Sequence, residues 1–361
     1  MIIGVDAGAL GISDVRLRAG VYRINLHLLE ELSFLDKSNS YKLYTFDPID
    51  PKILKRFGSN FQNIVLHPKR GWFSLRLPLA IYQDGVDVFL GLSQAVPLLV
   101  KRCFSIGFIY DLAFLHYPQA YPDSLQRLQR QTDQVMRRSN HIVTISQASG
   151  GDLKKHYPRY SGAVTIAYPG VESSFSPQGK TYVWKNPYFL FVGSLKREKN
   201  IGTILDAFSR FVSWYKKPMD ILLVGGDYWR DPKIDQILKK NVLKGRVHLL
   251  GYTDDAILPL VYCGAQALVT PSLWEGFCLP ALEAMACGCP VIGSQTGAFP
   301  EVVGDAGILV NPLKEEEVCK AFLTILEGNA RSIMSKKGIQ KAKYFSWQIF
   351  AQKIYSIFNQ T

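Results

Sequence analysis

The chain has 361 residues, with 42 Lys and Arg against 30 Asp and Glu, and a formal net charge of +12. Hydrophobic residues make up 47% and charged residues 20%, which excludes long disorder and fits full cores in two domains. No membrane span is expected, because the longest apolar run, Val86 to Val100, is broken by Asp87, Ser93, Gln94 and Pro97 and is shorter than the ~20 residues a helical span needs.

In chain order, Ile2-Ile3-Gly4-Val5-Asp6 reads as a short apolar strand. Val21 to Leu32 reads as an amphipathic helix, with Ile24, Leu28 and Leu32 on one face. Tyr41 to Phe46 alternates as a strand should, and Ile64-Val65-Leu66 is another. Val86 to Leu90, Ser105 to Tyr110 and His141 to Ile145 look like buried parallel strands ending in polar or small residues. Between the last two, Arg127 to Arg138 has helical periodicity, with Leu125, Leu128, Val135 and Met136 as apolar members and arginines opposite. A solvated face accounts for those arginines, and so does a helix lying on an anionic membrane surface.

Pro169, Gly170, Pro177, Gly179 and Pro187, with serines between them, mark a linker. A second α/β series follows: strands at Tyr188–Val192, Met219–Val224, Val247–Leu250, Ala267–Val269 and Pro290–Ile292, and helices at Ile201–Trp214, Lys233–Lys240, Ala281–Ala286 and Glu315–Leu326. The expected fold is α/β, with two doubly wound domains facing each other across a cleft where ligands bind at strand carboxyl ends. The expected boundaries are 1–170 for the first domain, 171–187 for the linker and 188–340 for the second domain. A C-terminal helix at 341–361 is expected to pack back on the first domain.

Several chemistries are excluded. No G-x-G-x-x-G follows a strand, and no Walker A sequence or G-x-S-x-G elbow occurs. The histidines form no H-x-x-x-H pair, Cys287-Gly288-Cys289 reads as small residues packing a helix end, and no D-x-D exists to hold a metal–diphosphate complex. The chain opens without the basic and apolar regions of a signal peptide. The reading is therefore a cytoplasmic protein with reduced thiols, peripheral on the inner membrane face if its basic surface meets anionic lipid. No nucleic-acid partner and no cofactor is expected.

Two stretches carry chemistry. Pro271 to Pro290 runs from a strand end through Glu275-Gly276-Phe277-Cys278-Leu279-Pro280 into a helix, where backbone N–H groups of Phe277, Cys278 and Leu279 suit an anion. Glu283 offers an acceptor-only carboxylate, suited to a ribose diol or, alternatively, to complementing the helix N-terminus. The second stretch, Gly193-Ser194-Leu195-Lys196-Arg197-Glu198-Lys199-Asn200, places three cations at a turn that suits a diphosphate.

Together these stretches resemble the retaining, nucleotide-sugar-dependent glycosyltransferases of the GT-B fold, family 4. The E-G-F-x-L-P-x-L-E-A-M-A-x-G-x-P-V pattern stands complete from Glu275 to Val291, and the Gly-x-Leu…Lys-Asn turn matches at Gly193, Leu195, Lys199 and Asn200. Gly251-Tyr252-Thr253, Pro300 to Ala306, Gly20-Val21-Tyr22 and Tyr110-Asp111-Leu112 also look like the family. The resemblance implies that Glu283 holds the donor ribose and that Glu275, with Gly276, Phe277, Cys278 and Leu279, holds the transferred sugar. It implies that Lys199, with Arg197, neutralises the leaving diphosphate beside Gly193, Ser194 and Thr253. Gly20 would let backbone approach the phosphates, and Asp111 would line the acceptor side. Many relatives carry Arg where Ser194 or Glu198 stands here, and His where Tyr110 stands.

The implied reaction is a metal-independent, retaining transfer of a hexose to a glycan or lipid-linked glycan of a surface polysaccharide. The donor would be a nucleotide diphosphate sugar, GDP-mannose first and a UDP-hexose next. A nucleotide-sugar 2-epimerase of the same fold, or a non-catalytic nucleotide- or glycan-binding protein, is the alternative.

Overall fold

The computed structural model describes residues 1–18, 20–98, 103–226 and 233–359. The end of the apolar run, at Val100, lies outside them. The chain divides into two compact units. The first comprises Met1–Leu112, Pro122–Gly170 and Ser346–Thr361, the second Ala113–Tyr121 and Val171–Phe345.

The first unit is built on strands β1 (Ile2–Asp6), β2 (Ser40–Thr45), β3 (Phe61–Val65), β4 (Val88–Gly91), β5 (Phe104–Phe108), β6 (His141–Thr144) and β7 (Ala163–Ile166). They pair in parallel in the order β3-β2-β1-β4-β5-β6-β7, with Ile3 opposite both Tyr41 and Val88. Ile3, Val5, Leu43, Phe89, Leu90, Ile106 and Ile142 are fully buried, which is why these strands read as apolar runs rather than alternating ones. The helix Gly20–Leu35 follows β1 and buries Ile24, Leu28 and Leu32. On its other side lies the C-terminal helix Trp347–Phe358, whose Trp347 stacks on His27 at 4.8 Å. Gly170 makes that packing feasible, since a Cβ there would lie 2.1 Å from the Trp347 nitrogen.

The second unit carries β8 (Tyr188–Val192), β9 (Asp220–Val224), β10 (Val247–Gly251), β11 (Leu268–Thr270), β12 (Val291–Ser294) and β13 (Gly307–Val310), parallel in the order β10-β9-β8-β11-β12-β13. One face is covered by the helices Ile201–Trp214 and Glu315–Leu326. Between them and the sheet, Phe189, Phe208, Phe211 and Phe322 pack ring to ring, Phe189 to Phe322 at 4.4 Å. Burying each such ring stabilises the fold by about 1.5–3 kcal/mol.

Both sheets reverse strand order once, between β1 and β4 and between β8 and β11. In open parallel sheets such a reversal leaves a crevice beyond the strand carboxyl ends, and ligands bind there.

The elements differ from expectation in a few places. Residues 113–121, expected in the first domain, group with the second unit because Phe114 is buried and His116 stacks on a ring of that unit. Residues 341–345, expected with the terminal helix, also belong to the second unit. The strands β7 and β13 and the helices Gln147–His156, Leu258–Gly264 and Ala330–Ala342 are additional. Both added strands are edge strands with few fully buried residues, so their apolar signal is weak.

Candidate active site

At the reversal point of the second unit, two loops are laced together. The first leaves β8 through Gly193, whose φ of +148° favours glycine. Its backbone meets that of Gly225 at the end of β9, where a Cβ would lie 2.0 Å from the Gly193 oxygen. The loop then makes the short turn Arg197–Lys199 and enters the helix at Asn200, which sits in the left-handed region with φ +59°. Asn200 staples the turn: its Nδ2 donates to Pro271 O at 3.0 Å and to Pro312 O at 2.6 Å, and its Oδ1 accepts from Thr203 Oγ1. The Leu273 N–H donates to Glu198 O at 2.9 Å, joining this turn to the loop that leaves β11.

That lacing aims Lys199 at Glu275. Lys199 Nζ donates to Glu275 Oε1 at 2.5 Å, and Ser272 Oγ donates to the same oxygen at 2.8 Å. Among the described residues no hydrogen bond ends on the other oxygen, Oε2. The Lys199 side chain is 25% exposed and that of Glu275 12%. Burial works to lower the Lys199 pKa, but the Glu275 carboxylate outweighs it and holds the ammonium above the usual lysine range. A half-buried cation without a counter-charge would carry its desolvation cost alone; the pair offsets it while leaving the ammonium available.

Beyond Glu275, the chain reaches Cys278 in a left-handed conformation, φ +70°, and turns into the helix Leu279–Ala286. Ala281 N–H is taken by Cys278 O, whereas the Leu279 N–H stands at the helix start with no intrahelical acceptor. Burial pushes the Cys278 thiol up to about 12, with the Glu275 charge adding to it, so this sulfur stays protonated and is no nucleophile. Glu283 lies beyond the first turn, 4% exposed, and its Oε2 accepts from the Tyr262 hydroxyl at 2.9 Å. Dipole effects fade within the first turn, so complementing the helix end does not account for it. The sequence reading did not single out His116 and Trp274, whose rings stack at 3.6 Å and 13° beside Glu275. They are far apart in the chain, and no local pattern pairs them.

The first unit holds a different site at its own reversal point. A cavity of about 550 Å³ is lined by Asp6 at the end of β1, by Ser93 and Gln94 after β4, by Tyr22, Phe46, Trp72 and Phe73, and by Gln131 and Gln134. Asp6 is 3% exposed and accepts from the Gly8 N–H at 3.2 Å. Burial pushes its pKa up to about 6, against hydrogen bonds from Gly8 and Ser93 that pull it down. Gln94 has φ +57°, a strained value for a residue with a Cβ that costs on the order of 1–3 kcal/mol. Its Nε2 donates to Thr132 Oγ1 at 3.2 Å. Aromatic faces beside amides and one carboxylate suit a neutral ligand rich in hydroxyls.

Residues 186–328, which hold the Lys199–Glu275–Glu283 constellation, match the family described as Glycosyl transferases group 1. O-antigen chain mannosyltransferase B of Escherichia coli is 26% identical over 355 residues, spanning 95% of this chain and 89% of that protein. The chain is a glycosyltransferase of the GT-B fold whose second unit carries this group 1 domain. Its structure superposes on sucrose-phosphate synthase from Thermosynechococcus elongatus with a TM-score of 0.81 at 21% identity, covering 100% of this chain and 98% of that one. Anabaena HepE, solved in complex with UDP-glucose, superposes with a TM-score of 0.74 at 17% identity, covering 100% and 99%.

Within this glycosyltransferase, Lys199, Glu275, Gly276, Phe277, Cys278, Leu279 and Glu283 lie along the two laced loops and the helix they enter. Gly193 and Ser194 open the first loop. Thr253 joins them on the same sheet edge, two residues past Gly251, whose carbonyl accepts from Gly225 N–H at 2.8 Å. Arg197 is exposed at the start of its turn. Gly20 and Asp111 belong to the first unit: Gly20 is exposed as the first residue of its helix, and Asp111 is half-buried after β5. Tyr110, standing where relatives have His, is a core residue 8% exposed. Its hydroxyl donates to Leu92 O at 2.5 Å, and burial holds it protonated.

Proposed function

We propose that this enzyme transfers a hexose from a nucleotide diphosphate sugar held by the second unit to a glycan or lipid-linked glycan held by the first. The transfer retains anomeric configuration, needs no metal and serves surface polysaccharide synthesis. The observation that carries this reading is the Lys199–Glu275 pair, laced into place at the strand-order reversal with Glu283 on the helix beyond. Cleaving the sugar–phosphate bond builds negative charge on the diphosphate, and a positioned ammonium stabilises it as it develops. Among the described residues Glu275 Oε2 accepts no hydrogen bond and suits a sugar hydroxyl; Glu283 suits the ribose. The cavity beside Asp6 is the acceptor candidate. Mannose from GDP-mannose is the first choice of donor, supported by the name of the E. coli relative, and a UDP-hexose is the second, supported by the UDP-glucose complex of HepE.

No helix among the described residues is long and apolar enough to cross a membrane. Peripheral association with anionic lipid is part of the proposal, supported by exposed Arg127, Arg130 and Arg137 on one helix and by exposed Leu75, Leu79 and Tyr82.

The test is a thermal-shift titration with GDP, UDP and ADP, each with and without a chelator. A nucleotide at a hundred times its Kd adds about 2.7 kcal/mol to native-state stability. A shift with GDP that survives chelation supports the reading; a shift with none of the three sinks it.

A further inference from the structure

The cavity beside Asp6 does not end at its aromatic wall. A second one, of about 450 Å³, adjoins it: Phe46, Trp72 and Phe73 line both, and Lys69, Gly71 and Ser74 complete the second. The sheet explains why the two lie in a row. Gln94 follows β4, Asp6 ends β1, Phe46 follows β2, and residues 69–74 follow β3. In the strand order β3-β2-β1-β4 those four carboxyl ends stand side by side. At ~4.8 Å per strand spacing they span roughly 14 Å, more than a single pyranose ring covers.

The shared wall is rigid. Trp72 is 8% exposed, and its Nε1 donates to Thr45 O, at the end of β2, at 3.3 Å. The Phe46 and Trp72 rings meet edge to face at 5.9 Å and 89°. Fixed rings offer apolar faces at little entropic cost, and the C–H face of a sugar packs on such a surface. The second cavity also carries polar groups whose charge is balanced. Lys69 Nζ donates to Asp47 Oδ2 at 2.6 Å, and Ser74, exposed on the turn Trp72–Arg76, adds a hydroxyl. A paired ammonium and a hydroxyl suit neutral hydroxyl groups better than an anion.

We propose that the two cavities are consecutive subsites for a neutral glycan, so that the first unit holds the last two sugar residues of a growing chain rather than its end sugar alone. The terminal sugar lies beside Asp6 and Gln134, and the preceding one rests on the shared rings toward Lys69 and Ser74. The direction follows from the sheet. Asp6 and Gln94 stand at the reversal between β1 and β4, where the crevice is, and β3 is the edge strand, past which the rest of the glycan leaves. The consequence is a chain-length preference: a disaccharide binds more tightly than its terminal sugar. This rests on reading the cavity beside Asp6 as the acceptor site. A lipid chain is the rival occupant of the second cavity, because Leu75 and Leu79, next along the chain, are exposed.

The experiment titrates free saccharides into the full chain and follows them by ligand-observed NMR. The probes are the methyl glycosides of mannose, glucose, galactose and N-acetylglucosamine, the α- and β-linked disaccharides ending in each, and octyl mannoside. The expected result is a disaccharide that binds about tenfold more tightly than the methyl glycoside of its terminal sugar, the scale of one ring contact or hydrogen bond. Ser74→Trp places a bulky ring in the second cavity alone and should abolish that preference, whereas Gln134→Ala weakens both ligands alike and keeps it. Equal affinities for mono- and disaccharides in the wild type overturn the second subsite and leave the acceptor cavity standing. A preference that survives Ser74→Trp overturns its placement. A larger gain from the octyl chain than from any second sugar assigns the second cavity to lipid and overturns the proposal. Binding of none of the saccharides removes the acceptor reading itself, and the subsite with it. The wild-type comparison needs no variant to fold.

Discussion

The two units place a site at the same topological position of their parallel sheets and fill it with opposite chemistry. In the second unit the ionisable Lys199, Glu275 and Glu283 line the site, and the first two meet at 2.5 Å. In the first, rings and glutamines surround one buried acid whose pKa stands near 6. The difference suits the two ligands proposed for them. A group that grips an anion must stay ionised while the site is empty, so it needs a counter-charge that the ligand's own charge later outcompetes. A pocket for a neutral, hydroxylated ligand needs shape and hydrogen bonds, and fixed charge there would only add desolvation cost.

Removing the cation should have the largest effect on this contrast. Lys199→Ala withdraws the ammonium and leaves Glu275 with Ser272 as its partner. Turnover should fall by about 10²–10³-fold, because the lost interaction is strongest in the transition state, while the donor KM changes much less. Steady-state kinetics with varied donor separates the two. Turnover within a few-fold of wild type would remove Lys199 from the diphosphate.

How much of this could be read from the chain differs between the units in the same way. The charged site is legible because its groups lie on two short contiguous stretches, Gly193–Asn200 and Pro271–Glu283, each between a buried strand and a helix. The strands and their order of appearance are legible from apolar runs alone, as Phe189 to Phe191 or Ile106 to Phe108 illustrate. The neutral cavity is not legible. Asp6, Tyr22, Trp72, Gln94 and Gln131 come from separate segments, and it is the sheet order β2-β1-β4 and the helices packed on it that assemble them. The stacking of His116 on Trp274 was hidden for the same reason. Tyr110 was visible as a departure from the family pattern, but its bond to Leu92 O, which makes it a core residue, was not.

The acid of the first unit offers a sharper test through pH. Two buried aspartates there behave in opposite ways. Asp36 accepts from Tyr41, Asn39 and Ser38, and these bonds overcome its burial and lower its pKa. At Asp6 burial outweighs the hydrogen bonds, and the pKa rises to about 6. The folded state therefore binds the Asp6 proton more tightly than the unfolded state. Its contribution to stability is complete below about pH 4 and is lost as pH rises through about 6, a change of roughly 3 kcal/mol. Asp6→Asn cannot ionise and should escape that loss. The denaturation midpoint of the variant minus that of the wild type should rise between about pH 4 and pH 7, whatever its value at the acid end. A difference flat with pH would mean that water reaches Asp6 and that the cavity is as polar as the other site.

The smallest effect tests whether the cavity is a site at all. Gln134 is exposed on the helix Leu125–Arg138 and lines the cavity, so its truncation should leave the fold intact. If its amide hydrogen-bonds the acceptor, Gln134→Ala removes about 0.5–1.5 kcal/mol of binding, a two- to tenfold rise in the acceptor KM. The donor KM and turnover at saturating acceptor should not move, because the lost bond is made equally in ground and transition states. Lys199→Ala predicts the reverse split, with turnover falling and both KM values nearly unchanged. The two variants together ask whether the charged and neutral sites act on different substrates. A rise in donor KM on truncating Gln134 would mean that they share one, and that the cavity belongs to the donor.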